Sequence, residues 1–269
     1  MATIGFIGGG NMAEALIKGI ITAKVYEPEN IFVSDIKPER LKYLSQQYEV
    51  KTLSCNKELV RLADIVILSV EPQQLGGVLA DIKASFKADT LFVSIAAGKR
   101  IEMIKGLLGD IKLIRVMPNT PARIGQGLCG IYAPENAKGR RDEVVKIFSS
   151  VGKVIVLERE DMIDIITAVS GSGPAYFFLL MENMIKAAME LGFTEERAMD
   201  VVLQTAKGAA LLAEFAKANG QTPTQLMEKI VSRGGTTEAA LKVFAEGNFG
   251  GLVNSAIKRA HTRSKELSN

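Results

Sequence analysis

The sequence predicts an α/β protein in which a doubly wound, mostly parallel sheet is followed by an all-helical domain. Three near-continuous apolar runs, separated by helical stretches, are typical of strands that are buried on both faces of a parallel sheet. They are DIVILSV at 64–70, TLFVSI at 90–95 and IKLIRVM at 111–117. From about Glu160 the apolar residues recur with a helical period and the strand signals stop. We therefore expect two domains, at residues 1–159 and 160–269.

The first predicted strand, residues 3–7, leads directly into a glycine-rich turn that opens a helix reaching about residue 22. The turn reads Gly8-Gly9-Gly10-Asn11-Met12-Ala13, a G-x-G-x-x-A pattern in its strand-turn-helix setting. Gly8 permits the tight turn, Gly10 lets the backbone approach a pyrophosphate, and Ala13 lets the helix pack closely on the sheet. The pattern predicts a Rossmann-like dinucleotide site; the alternative is a purely structural glycine turn.

The next strand, residues 30–34, ends in the segment S-D-I-K, where the adenosine ribose of a dinucleotide is expected. Asp35 suits a free ribose diol and therefore NAD. Ser34, Lys37 and Arg40 could together hold the extra phosphate of NADP. A helix cap at Asp35 and exposed helix charges at the two basic residues are the structural alternatives, so the segment leaves the cofactor open.

Each of the later strands ends in a turn that would face the ligand crevice. These turns are Glu71-Pro72, Ala96-Ala97-Gly98 and Pro118-Asn119-Thr120-Pro121. The two prolines of the last turn fix a rigid loop there. A further strand pair is predicted at 127–133 and 153–157, on either side of a helix at 135–151.

In the second half, the turn SGSGP at 170–174 precedes a helix that reaches about residue 191. Residues 176–181, YFFLLM, leave the first half of this helix without a polar face. Such a helix must be buried on all sides, which one small helical domain can hardly achieve, so we expect contact with a second subunit. Glu182, Lys186 and Glu190 are too many charges for a membrane span.

Composition narrows the function classes. The formal charge of +3 comes from 33 basic and 30 acidic residues spread along the chain, which argues against nucleic acid or a membrane surface as partner. Cys55 and Cys129 lack a paired spacing and are interpreted as reduced thiols of an intracellular protein. The N-terminal residues do not resemble a signal segment, and we expect a cytoplasmic protein.

The run VSRGGTTEAAL at 231–241 predicts a helix N-terminus that is open to an anion. Gly234 and Gly235 bring bare backbone close to a ligand, and Thr236 or Thr237 is expected to cap the helix. Outward amide groups and the helix dipole would then bind a small carboxylate. An ordinary Gly-Gly turn before a capped helix is the alternative.

The residue inventory favours reduction of C=N over C=O. A carbonyl needs a proton donor, whereas an imine nitrogen can already carry its proton when hydride arrives. The only histidine, His261, lies near the C-terminus and is expected to be an exposed helix residue, and no cluster has metal-ligand spacing. Thr237 could supply the hydrogen bond that orients the imine nitrogen.

The chain resembles the pyrroline-5-carboxylate reductases over essentially its whole length. The shared motifs, in order, are GFIGGGNMAEAL, SVEPQ, SIAAG, RVMPNTP, EDMID, SGSGPAYFF and PTQLMEKIVSRGGTTEAAL. The resemblance implies reduction of 1-pyrroline-5-carboxylate to proline, with NADPH or NADH as the hydride donor. It also implies a homodimer with interlaced helical domains, often assembled into a decamer.

The resemblance also assigns residues. It places cofactor contacts at Gly8, Gly9, Gly10, Asn11, Met12, Ser34, Asn56, Val70, Pro72, Ala96 and Ala97. Asp35, from its position at the expected ribose, and Glu71, in the turn after its strand, complete the predicted cofactor groove. It places substrate contacts at Glu160, Gly234, Gly235, Thr236 and Thr237, of which Thr237 would hydrogen-bond the ring nitrogen. For Glu160, a helix-start charge is the equal alternative. Two positions depart from the family pattern: Glu71 replaces a common lysine and Lys229 a common asparagine.

Two other functions stay open. A β-hydroxyacid dehydrogenase shares the layout, but it needs a catalytic lysine for which Lys186 is the only candidate. We interpret Lys186 as a helical partner of Glu182. A nucleotide-sensing protein without turnover would bind the cofactor and reduce no imine.

Overall fold

The computed structural model describes residues 2–267, and its centre is one eight-stranded sheet. The strands are β1 (Ile4–Ile7), β2 (Ile31–Ser34), β3 (Lys51–Leu53), β4 (Ile65–Leu68), β5 (Leu91–Ser94), β6 (Lys112–Met117), β7 (Gly127–Tyr132) and β8 (Gly152–Val156). Their order is 3-2-1-4-5-6-7-8, and only the β6–β7 pair is antiparallel. The predicted fold class, a doubly wound and mostly parallel sheet followed by helices, is confirmed.

Twelve α-helices surround or follow the sheet within the described residues. They are α1 (Asn11–Thr22), α2 (Pro38–Tyr48), α3 (Asn56–Leu62), α4 (Leu75–Ile82), α5 (Ile101–Leu108), α6 (Arg141–Ser149), α7 (Met162–Ile166), α8 (Gly173–Glu190), α9 (Glu195–Ala218), α10 (Pro223–Ile230), α11 (Thr236–Glu246) and α12 (Phe249–Glu266). A π-helical segment, Thr167–Gly171, joins α7 to α8. The predicted helix at 135–151 is shorter than expected, because its first six residues, Glu135–Arg140, form a 3₁₀ helix and α6 spans only Arg141–Ser149.

Two hydrophobic clusters cover the two faces of the sheet. Successive strand residues enter opposite clusters: Ile65 and Ile67 belong to one, whereas Val66 and Leu68 belong to the other. The strands are therefore buried on both faces, as their near-continuous apolar sequences predict.

The chain forms two compact units. The first contains the residues up to Pro174 together with those from Arg259 onward, and the second is Ala175–Lys258. In the second unit the buried apolar residues within the described chain are Ala198, Val202 and Ala216. The division at residue 159 remains a prediction based on the sequence pattern.

One helical run in the described chain, Met162–Glu190, is long and apolar enough to cross a membrane by length and composition alone. It is not a uniformly apolar helix, since it consists of α7, the π-helical segment and α8. Buried Asp164 lies near its start, and Glu182 and Lys186 form an ion pair at 3.0 Å towards its end.

Candidate functional site

The glycine turn after β1 has the geometry that a bound phosphate requires. Gly8 has φ +98°, and a Cβ there would lie 2.7 Å from the Ser69 carbonyl oxygen, so no other residue fits without displacing backbone. A Cβ at Gly10 would meet nothing within 4 Å, which leaves its backbone open to approach. Helix α1 starts at Asn11 without a side-chain cap, so its first amides are available to an anion.

Ser69, which the sequence reasoning missed, supports this turn from the end of β4. Its hydroxyl donates to the Gly8 carbonyl oxygen at 2.7 Å and to the Ile7 carbonyl oxygen at 3.0 Å. β1 and β4 are neighbours at the point where the strand order reverses, which is where open α/β sheets bind ligands. A small polar residue at the end of an apolar strand was the available signal.

The segment after β2 is already engaged with the glycine turn. The Asp35 carboxylate accepts from the Gly9 amide at 2.7 Å and from the Lys37 amide at 2.9 Å. Arg40 donates to the Gly9 carbonyl oxygen and pairs with Glu14. Arg40 is thus held by the protein, and Lys37 is the exposed cation of the S-D-I-K segment.

Ser34 and Asn56, both assigned to the cofactor groove by resemblance, are in direct contact. The buried Ser34 hydroxyl donates to Asn56 Oδ1 at 2.7 Å, and Asn56 begins α3. Of the remaining predicted groove residues, Ala96 is buried, Val70, Pro72 and Ala97 are half-buried, and Glu71 is exposed.

Glu160 lies in a buried ion pair of the first unit. Its Oε1 accepts from the Ile101 amide at 2.8 Å and from Arg115 Nη1 at 3.0 Å, so it caps α5 and pairs with a cation that is 1% exposed. Burial lowers the pKa of Arg115, and the Glu160 carboxylate opposes that effect. Glu160 therefore caps the distant helix α5, and its contact with substrate remains a prediction.

Asp164 continues this group of charges. Its Oδ1 accepts from the Ser264 hydroxyl at 2.6 Å, and its Oδ2 is 3.7 Å from Arg100 Nη2. Arg115 Nε and Nη2 and Asp164 Oδ2 are buried without a hydrogen-bond partner in the described chain. The sequence signal for this group of charges was Arg115, which lies inside the apolar run IKLIRVM, and it was not recognised from the sequence.

Asn119, in the rigid turn after β6, joins three segments. Its amide nitrogen donates to the Ser170 carbonyl oxygen at 3.2 Å and to the Ser170 hydroxyl at 3.1 Å, and its oxygen accepts from the Leu128 amide at 2.8 Å. The π-helical segment also packs tightly on the sheet, since a Cβ at Gly171 would lie 2.8 Å from Met117 Cε. π-helical turns are frequent at functional sites.

The GGTT loop of the second unit differs from its prediction at the cap. Helix α11 begins at Thr236 with Gly235 as N-cap and no side-chain cap, so the expected threonine cap is wrong. Gly234, at φ +73°, supplies the turn before the helix. Thr236 and Thr237 both lie inside α11 and therefore do not act as its N-cap.

The amides of this loop fall into two groups. The Gly234 amide donates to Glu238 Oε2 at 2.5 Å, and the Gly235 amide donates to the Ser232 carbonyl oxygen at 2.9 Å. The next three amides, Thr236, Thr237 and Glu238, have no acceptor in the described chain. A cavity of about 660 Å³ borders the loop and is lined by Gly234, Gly235, Glu238, Ala239, Leu241 and Lys242.

Two further predictions concern single residues. His261 lies on α12 as expected, but it is half-buried rather than exposed, and it belongs to the part of α12 that is included in the first unit. Lys186 forms the expected helical ion pair with Glu182, at 3.0 Å. Among residues 2–267 no group of three or more potential metal ligands is close enough to hold an ion.

The fold and the glycine turn define a dinucleotide-dependent oxidoreductase. Residues 3–98 match the family model described as NADP oxidoreductase, coenzyme F420-dependent, and residues 160–267 match the model for pyrroline-5-carboxylate reductase dimerisation. The chain belongs to the pyrroline-5-carboxylate reductase family.

Relatives and solved structures agree over the full length. The pyrroline-5-carboxylate reductase of Pseudomonas aeruginosa is 40% identical over 98% of this chain and 96% of its own length. That of Haemophilus influenzae is 37% identical over 98% and 97%. The Plasmodium falciparum enzyme with NADP bound (TM-score 0.89, 32% identity) covers 100% of this chain and 98% of its own. The Coxiella burnetii enzyme (TM-score 0.89, 39% identity) covers 100% and 99%.

Proposed function

We propose that this chain reduces the imine of 1-pyrroline-5-carboxylate to L-proline with NADPH, the last step of proline biosynthesis. The observation that carries the proposal is the full-length match to reductases of this name, at 40% identity over 98% of the chain. The open α1 N-terminus and the open amides at the start of α11 support it independently.

The chain's own groups suit a dinucleotide at the first unit. The uncapped amides at Asn11 and Met12 would hold the pyrophosphate, and Gly10 leaves room for it. Ser34 and Asn56 would meet the adenosine ribose side. When bound, NADPH supplies the hydride for the imine carbon. NADH remains a second donor in the proposal, since Asp35 suits a free ribose diol.

At the second unit, the donors at Gly234 and Gly235 are used within the loop. We therefore assign the substrate carboxylate to the next amides, those of Thr236, Thr237 and Glu238. The Thr237 hydroxyl would accept a hydrogen bond from the protonated ring nitrogen and orient it. A protonated imine needs no further acid, which agrees with a site without a catalytic histidine.

The proposal includes a cytoplasmic homodimer with interlaced helical domains, which can assemble further into a decamer. The dimerisation model matched at 160–267 supports association. The exposed apolar start of α8 supports it as well, because Phe177, Phe178 and Leu179 are 65%, 61% and 65% exposed in the single chain. The free thiols Cys55 and Cys129 agree with a reducing compartment.

Steady-state assays of the purified protein test the function. Oxidation of NADPH, and separately of NADH, is followed with pyrroline-5-carboxylate as acceptor. Thr237→Val keeps the side-chain shape and removes the hydroxyl. We expect kcat/KM to fall by an amount that corresponds to a loss of about 1–3 kcal/mol of transition-state stabilisation.

The matched control is Thr205→Val, since the Thr205 hydroxyl bonds only within α9, to the Val201 carbonyl oxygen at 2.7 Å. Absence of turnover with both donors contradicts the proposed function. Unchanged kinetics in Thr237→Val contradicts the role of its hydroxyl while leaving the function intact.

A further inference from the structure

We infer that Glu238 is an internal anion that weakens binding of the substrate carboxylate and so sets the KM of the enzyme. The inference rests on the proposed function, because it concerns the same loop. Its basis is the hydrogen bond from the Gly234 amide to Glu238 Oε2 at 2.5 Å, which puts a carboxylate of the chain on an amide of the carboxylate loop.

The preceding helix, α10, begins with a complete capping box. At α10, the Thr222 side chain accepts from the Gln225 amide at 3.3 Å, and Gln225 Oε1 accepts from the Thr222 amide at 2.8 Å. This capping box gives the backbone amides of Thr222 and Gln225 neutral acceptors.

Helix α11 closes only half of that arrangement. Glu238 occupies the third helical position, as Gln225 does in α10, and it too reaches back to a preceding amide. The N-cap, however, is Gly235, which has no side chain to accept from the Glu238 amide. The first turn therefore keeps open donors, while a full negative charge lies at the same end of the helix.

The two features act in opposite directions on a ligand carboxylate. The open amides and the helix dipole attract it. Glu238 repels it, because the Glu238 carboxylate is held at the Gly234 amide, one residue before the N-cap of the same helix. Lys242, one turn further on, is 3.9 Å from Glu246 and so has another carboxylate beside it.

A charge that repels the substrate carboxylate also repels the product carboxylate, because reduction of the ring leaves that group unchanged. Glu238 therefore raises the KM for pyrroline-5-carboxylate and the inhibition constant of L-proline together. The effect is a uniform weakening of ground-state binding, which shortens the time that product occupies the loop.

Glu238→Gln separates charge from shape, because the amide oxygen can still accept from Gly234. We expect KM for pyrroline-5-carboxylate to fall by roughly threefold to tenfold and the L-proline inhibition constant to fall in parallel. Glu238→Ala removes charge and hydrogen bond together, and a KM below that of the wild type is expected there too.

The control is Glu196→Gln, which removes a first-turn carboxylate from α9. There the Thr194 side chain closes the N-terminus by accepting from the Arg197 amide at 3.4 Å. Its KM should equal that of the wild type. Wild-type turnover is the readout of the proposed function, and the KM ratio is the readout of this inference. An unchanged or raised KM in Glu238→Gln, with an active wild type, overturns the inference alone.

Discussion

The two compact units place their apolar side chains in opposite environments. In the first unit, large residues such as Phe6, Phe92 and Phe148 are fully buried, and both hydrophobic clusters lie within it. In the second unit, Phe177 and Phe178 are more than half exposed, although they lie in the apolar first half of α8.

The difference shows which unit is complete in a single chain. Each face of the sheet is covered by helices of the same unit, so the first unit buries its own core. The helices of the second unit expose many large apolar side chains, among them Phe177, Leu179 and Phe215, and monomeric proteins rarely leave large apolar patches in contact with water. We therefore expect substitutions in the first unit to change the stability of the fold, and substitutions of the exposed apolar residues of the second unit to change subunit association.

The largest effect is expected from the double variant Phe177→Asp with Phe178→Asp. It removes the apolar burial expected at the subunit contact, about 1.5–3 kcal/mol per side chain, and adds two charges that resist burial. We predict dissociation and loss of nearly all reductase activity, with NADPH binding retained. Sedimentation velocity and fluorescence titration with NADPH measure the two outcomes.

Leu62→Asp is the control for that experiment, because Leu62 is an exposed apolar residue of the first unit, with 42% of its surface accessible. It should leave assembly unchanged. If the double variant sediments as the wild type does, the apolar surface of α8 is not the subunit contact.

The next largest effect concerns the buried charges of the first unit. Arg115→Met leaves the Glu160 and Asp164 carboxylates without their buried cation and should lower the free energy of unfolding by about 3–5 kcal/mol. The matched control is Arg159→Met, since Arg159 is 68% exposed and pairs with Asp161 at 3.0 Å. That surface pair contributes about 1 kcal/mol or less.

Urea unfolding of both variants measures the difference. Equal destabilisation by the two substitutions would contradict a structural role for the buried pair. Because Arg115 lies in the first unit, subunit association should persist in the variant wherever the chain stays folded.

Sequence predicts the first unit well because burial on both faces leaves a direct pattern of apolar runs. β3 was missed because Lys51–Leu53 has only three residues and none of them is buried. The π-helical segment was also missed, since a single wide turn changes no residue pattern. The glycine turn could be predicted because Gly8 adopts φ +98°, a conformation that few residues other than glycine tolerate.

The site contacts were harder to predict because they join distant parts of the chain. Arg40 and Glu14 are 26 residues apart, and no spacing rule connects them. The cap of α11 was assigned wrongly because threonine is the more common cap residue, whereas here glycine takes that position. The role of Glu238 depends on a side-chain rotamer, which sequence does not contain.

A smaller effect is expected at Asn119. Asn119→Ala removes the hydrogen bonds to Ser170 and Leu128 and leaves the Leu128 amide without its acceptor. We expect the free energy of unfolding to fall by about 1–3 kcal/mol. Since Ser170 lies in the π-helical segment, we also expect kcat/KM to fall more than NADPH affinity. Asn136→Ala is the control, because Asn136 bonds the Ile111 carbonyl oxygen at 3.2 Å away from that segment. Equal kinetic effects of the two variants would contradict a positioning role.

The smallest effect is a pH dependence confined to the first unit. Burial acts to raise the pKa of Glu14, but hydrogen bonds from Arg40, Tyr48 and Tyr43 outweigh it and lower the pKa below its ordinary 4.5. A carboxyl group with a lowered folded-state pKa stabilises the fold above about pH 4.5, and this contribution is lost as the pH falls through the folded-state value.

Glu14→Gln should therefore cost up to about 1 kcal/mol of unfolding free energy at pH 7. The difference from the wild type should shrink when unfolding is measured at pH values below the ordinary 4.5 of the carboxyl group. Glu39→Gln, at an exposed glutamate of α2, is the control and should show a smaller change at either pH. A difference for Glu14→Gln that is constant across this range would mean that packing, and not the charge, accounts for its contribution. Because Glu14 lies in the self-contained unit, neither substitution should alter the sedimentation of the protein.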